Sequence, residues 1–158
     1  MKYTALLIVL AAAWVSCMHV EAVSDQRIAD TAYGYTGSTE WSYASSRRPG
    51  RDTYKCNIFV AEVLEEVGGC VPHRKKCRWT PIGAGEWGNP NSSYLTKDEC
   101  WINRDSAAVG YVIAGGGHVG IVTGDRLTTS AGTDEILTND WGFRADQGFT
   151  VTFWDYVC

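Results

Sequence analysis

Cys56 stands at the head of an apolar run, Ile58 to Val67, spaced as a helix, and sixty-two residues later His118 opens the strand-like run His118-Val-Gly-Ile-Val-Thr123. A thiol at a helix start opposite an imidazole on a strand is the minimal equipment for covalent hydrolysis. A thiol attacks well only after losing its proton; free cysteine titrates near ~8.5, and a helix N-terminus or a nearby imidazolium lowers this. The unpaired N–H groups of a first helical turn favour the thiolate and can hold the oxyanion of a tetrahedral intermediate. His118 would take the thiol proton and return it to the leaving amine. A third group usually orients such a ring. Asn139 is the first choice and Asp140 the alternative, both at the end of the following predicted strand. Alternation puts them on opposite faces, so only one can serve unless the strand bulges.

The cysteine count supports a special role for Cys56. Lys2 followed by the 11-residue apolar stretch Ala5 to Val15, then Val20-Glu21-Ala22, reads as a secretory leader over residues 1–22. The stretch is too short to span a bilayer. Cleavage removes Cys17 and leaves five cysteines, an odd number, in an oxidising compartment. With Cys56 as the free thiol, the other four form two bridges, for which Cys70–Cys77 and Cys100–Cys158 are favoured among three connectivities. Residues 23–158 then make one secreted domain, large enough for its own core. The net charge of −4 argues against nucleic acid or an anionic lipid surface as a partner. No membrane insertion is expected, and a monomer is the default.

The elements that must position these residues follow from periodicity. Ser24 to Ala32 reads as a first helix with Ser24 or Asp25 as its N-cap. A Gly-, Ser- and Tyr-rich loop over Tyr33 to Asp52 leads into the Cys56 helix, which Gly68-Gly69 ends. Phe59, Val60, Val63, Leu64 and Val67 mark its buried face, while Glu62, Glu65 and Glu66 take the wet side. Val71 to Ser93 is loop-dominated. Strands are expected at Ala108–Ile113, His118–Thr123, Glu135–Asn139 and Phe149–Trp154, giving an α+β fold with an antiparallel sheet.

Other motifs have blander readings. Gly115-Gly-Gly-His-Val-Gly120 matches a dinucleotide-binding pattern but precedes a strand instead of opening a helix. Its glycines, Gly117 among them, would let substrate approach His118. His73 between Cys70 and Cys77 fits no common metal-ligand spacing, so neither metal nor cofactor is expected. Glu62 and Glu66 at i, i+4 read as surface solubility. The basic island His73 to Arg78 reads as a solvated loop or a weak anionic contact. Asn91-Ser92-Ser93 is a glycosylation acceptor. Aromatics in the loops, Tyr54 and Trp141 nearest the site, are candidates for lining a substrate groove.

Taken together, Lys55-Cys56-Asn57-Ile-Phe-Val60, Gly117-His118-Val-Gly-Ile-Val122 and the later Asn139-Asp140 resemble the NlpC-type and CHAP peptidoglycan amidases. The chain is most similar within that group to amidase effectors of bacterial type VI secretion and their domesticated relatives in ticks. The Asn-x-Trp-Gly pattern at Asn139 resembles the orienting Asn of papain-type enzymes. The resemblance implies a papain-like NlpC/P60 fold, Cys56 as nucleophile, His118 as base and bacterial peptidoglycan as substrate. It implies a secreted antibacterial role, with the D-Ala–diaminopimelate cross-link among the bonds such relatives cut. Two other functions compete: a general cysteine protease, and a non-catalytic, disulfide-stapled module binding a glycan or protein through its aromatic loops.

Overall fold

Ser24 caps the first helix, its hydroxyl accepting the Arg27 N–H at 3.2 Å and satisfying one of the donors that a helix start leaves orphaned. The computed structural model describes residues 22–74, 80–140 and 150–158. They form α1 (Asp25–Gly34), α2 (Cys56–Glu66) and α3 (Ala84–Trp87), followed by β1 (Trp101–Arg104), β2 (Val112–Gly115), β3 (His118–Gly124), β4 (Leu127–Ala131), β5 (Ile136–Asp140) and β6 (Thr152–Tyr156). The strands make one antiparallel sheet in the order β1-β6-β2-β3-β4-β5. The α+β class expected from the sequence is observed.

Helix α2 is buried more completely than a one-faced pattern implies. Phe59, Val60, Ala61, Val63 and Leu64 are all sealed from solvent, and Gly68 at φ +93 terminates it in the left-handed conformation glycine tolerates. The glutamates do not simply face water. The Glu62 carboxylate accepts from Trp41 Nε1 at 2.8 Å, Arg47 Nε at 2.7 Å and Arg48 Nε at 2.9 Å. Glu66 accepts from the Tyr35 hydroxyl at 2.6 Å. The reading of Glu62 and Glu66 as solubility residues is thus corrected: they strap the long loop over the helix. Trp41 is buried under that strap, edge-on to Phe59 and Tyr35.

The sheet has an apolar layer on each side. Val112, Ala114, Val119, Ile121 and Trp154 join the helices in the main core. Ile113, Val122 and Phe153 form a smaller cluster, as period-two alternation requires. Gly116 and Gly117 at φ +57 and +80 close the β2–β3 hairpin. Two successive positive φ values are what a type I′ turn needs. The strand expected from Ala108 begins later, at Val112. Before it the chain turns at Gly110 (φ +91), where any side chain would collide with the Asp25 backbone. Strands β1 and β4 were not anticipated. Of the expected last strand, Phe149 lies outside the described residues. Cys100 and Cys158 form the expected disulfide, tying the C-terminus to the start of β1. Cys70 carries an exposed free thiol, and Cys77, its expected partner, lies outside the described residues.

Candidate active site

The first turn of α2 is left without a side-chain cap: Lys55 occupies the N-cap position and makes no capping hydrogen bond. Its N–H groups are therefore available to the Cys56 sulfur. Burial pushes the thiol pKa up, and hydrogen bonding to backbone of Val119, Asn57 and Cys56 itself pulls it back. The Val119 contact is the informative one. It sets the sulfur against β3 one residue beyond His118. Cys56 is unoxidised and only 6% exposed.

His118 is the first residue of β3, directly after the glycine turn and paired with Gly115 across the hairpin. Its Nε2 lies 3.0 Å from the Ser130 hydroxyl, and Ser130 is buried on β4. The register that pairs Ile121 with Thr129 puts Gly120 opposite Ser130. A Cβ at Gly120 would come within 2.8 Å of the Ser130 Cβ, so this glycine makes room for the serine beside the ring. Burial lowers the His118 pKa. With the thiol pushed up and the imidazole down, burial favours the neutral form of each group. The expected thiolate–imidazolium state is not the one this environment favours, because desolvation disfavours both charges.

Register separates the expected orienting residues from the ring. Asn139 pairs with Thr128, and Thr128 with Val122. That is two strands over and four residues along from His118, about 16 Å by ordinary strand spacings. Asp140, opposite Leu127, is further still. Strand β4 intervenes, and its Ser130 hydroxyl lies within hydrogen-bond distance of the imidazole. Asn139 Oδ1 is covered, without a hydrogen-bond partner among the described residues.

Of the groove candidates, Tyr54 is 69% exposed, two residues before Cys56, and its ring contacts Tyr43. Gly117 is exposed in the hairpin turn, where its positive φ gives it a conformational role. Trp141 lies outside the described residues, as do Lys75, Lys76 and Arg78 of the basic island. Arg74 is engaged twice at 2.7 Å by Glu86, and His73 Nε2 lies 3.7 Å from Glu65. Among the described residues no group of three or more His, Cys, Asp or Glu side chains could hold a metal ion. Asn91 is exposed, as a glycosylation acceptor must be. No helix among the described residues is long and apolar enough to cross a membrane.

Sequence reasoning named the thiol and the imidazole and did not name Ser130, which the structure places beside the ring. The signal available was the spacing of a two-strand hairpin: Gly124-Asp125-Arg126 is a turn, and the Thr-Thr-Ser run after it returns beside β3. No protein-family model, curated protein or solved structure matches this chain.

Proposed function

We propose that the protein is a secreted cysteine amidase that hydrolyses amide bonds in bacterial peptidoglycan, as the NlpC-type resemblance implies. The observation that carries this reading is the position of the Cys56 sulfur. It lies at the uncapped end of α2 and against Val119, the residue after His118. The Cys100–Cys158 bridge is what a protein matured in an oxidising compartment would carry.

In the reaction the sulfur attacks the amide carbon while its proton passes to His118. Nε2 lies 3.0 Å from the Ser130 hydroxyl, and the imidazole is the group that takes and returns the proton. The first-turn N–H groups take the charge that develops on the carbonyl oxygen. The imidazolium protonates the departing amine, leaving a thioester on Cys56. His118 then takes a proton from water as it attacks the thioester, releasing the acid and the thiol. Burial disfavours both the thiolate and the imidazolium, so charge separation is best compensated during the attack, when the oxyanion is there to be held.

Digestion of purified sacculi, followed by mass analysis of the released muropeptides, tests this. Wild type should release new peptide termini and Cys56→Ala none; sacculi left intact by wild type overturn the assignment. The burial of Cys56 favours one rival, a binding module in which the cysteine merely packs. Under that reading Cys56→Ala retains every function the protein has, and iodoacetamide fails to label residue 56 in the folded chain.

A further inference from the structure

Lys55 is 1% exposed. An ammonium removed from water is costly unless hydrogen-bonded throughout, and Nζ here donates to the carbonyls of Ser42 and Thr53, each at 3.0 Å, with a longer contact to Tyr43 O at 3.4 Å. The Asp52 N–H also donates to Tyr43 O, at 2.9 Å. None of these acceptors belongs to the Cys–His pair. The buried charge instead fastens the segment around Tyr43 to the segment around Tyr54, just ahead of the nucleophile.

What the clamp holds in place is an aromatic pair. The two rings lie 4.9 Å apart at 55°, and Tyr54 remains 69% exposed. An unrestrained aromatic ring lowers its free energy by turning into a core; this one is held outward on backbone that the Lys55 contacts fasten. The segment carrying Tyr43 also walls an open cavity of about 610 Å³ whose lining residues include Thr39, Glu40, Ser42, Ser45, Ser46 and Arg47. Arg47 is already engaged by Glu40 and Glu62, and Arg48 by Glu62. The neighbourhood therefore presents ring faces and hydroxyls, with its arginines committed to carboxylates. That chemistry suits a neutral pyranose, whose C–H face stacks on an aromatic ring and whose hydroxyls reach polar edges. It does not suit an acidic peptide, which would meet an acidic chain.

We propose that Tyr43, Tyr54 and the adjoining open cavity form a subsite for the sugar strand of peptidoglycan, with Lys55 as the residue that positions it. The choice of polymer rests on the amidase reading above. The probes are the N-acetylglucosamine tetrasaccharide and a free stem peptide, titrated against full-length mature Cys56→Ala protein by NMR. The tetrasaccharide should shift Tyr43 and Tyr54 ring signals. Adding Tyr54→Ala should weaken its binding at least about ten-fold, the scale of losing one stacked ring. Lys55→Met should weaken it comparably; Tyr54→Ala, at an exposed position, keeps the test valid if the Lys55 variant does not fold. The proposal is overturned if the tetrasaccharide shifts neither ring, if Tyr54→Ala binds it as tightly, or if only the stem peptide shifts these signals. Sacculus digestion separates the two claims. Sugar binding with intact sacculi defeats the amidase assignment alone, whereas cleavage without sugar binding defeats the subsite alone.

Discussion

On its outer side α2 is fastened by charge. Glu62 collects Arg47, Arg48 and the Trp41 indole, and Arg47 also lies 4.3 Å over the Trp41 ring. At its N-terminal end the same helix meets the sheet through groups whose burial disfavours charge, the Cys56 thiol and the His118 ring, with the Ser130 hydroxyl beside the ring. The difference follows from water. Around Glu62 the arginines are partly exposed, so the ions remain partly hydrated while they hold the loop. At the end of β3 burial penalises any standing charge, and a hydroxyl orients the ring without adding one. A carboxylate in the place of Ser130 would stabilise the imidazolium before substrate arrived. The loop is thus fixed by ionic contacts that need no reorganisation, and the site is left able to create charge only in the reaction.

Three outcomes would break or sharpen that contrast. The largest is at the neutral end. His118→Ala should cut sacculus turnover by roughly 10²–10⁴-fold, the range for losing a general acid–base, with an unchanged circular dichroism spectrum. A variant that keeps most of its rate makes His118 structural. Next is the charged strap. Glu62→Gln should lower the urea-unfolding free energy by about 1–2 kcal/mol, the worth of a part-buried charge-assisted contact. The gap from wild type should shrink as salt is raised; a gap indifferent to salt would mean that packing, not charge, holds the loop.

The smallest effect is on stability against pH. The His118 pKa is depressed from its ordinary 6.5, so below that value the unfolded chain binds the extra proton first. The stability contributed by the neutral ring is present above pH ~6.5 and lost as pH falls through the folded value. Cys56 is raised from 9.0, so its contribution is present below pH ~9 and lost as pH rises through the folded value. Stability should be highest between the two. Cys56→Ala should flatten the alkaline limb and His118→Gln the acidic one. If instead Cys56→Ala made alkaline stability fall more steeply, the thiol would be ionised at rest and the contrast would fail.

Much of this was legible in the residues. The apolar period from Ile58 to Val67, closed by Gly68, fixed α2 with Cys56 at its head. The alternating run from His118 fixed β3. The Cys100–Cys158 bridge belongs to the connectivity favoured among the three that four cysteines allow. Strand β4 was not legible, because Leu127-Thr-Thr-Ser-Ala131 has no apolar alternation. Of its two buried threonines, Thr129 is satisfied across the sheet, meeting Thr123 at 2.9 Å and Thr138 at 2.7 Å. With that strand unread, Ser130 was not among the groups considered as neighbours of the ring, and Asn139 was.

The sequence by itself determined which residue types are available for chemistry and which local elements carry them, because periodicity, caps and glycine turns are local properties. Only the tertiary structure decided who touches whom. Strand order put Ser130 beside the ring, burial disfavoured charge on the thiol and imidazole, and the loop closing over α2 turned Glu62 from an apparent surface residue into a fastening, with Lys55 and Trp41 buried beside it. Those outcomes depend on register and on exclusion of water, which arise only when segments far apart in the chain are packed together.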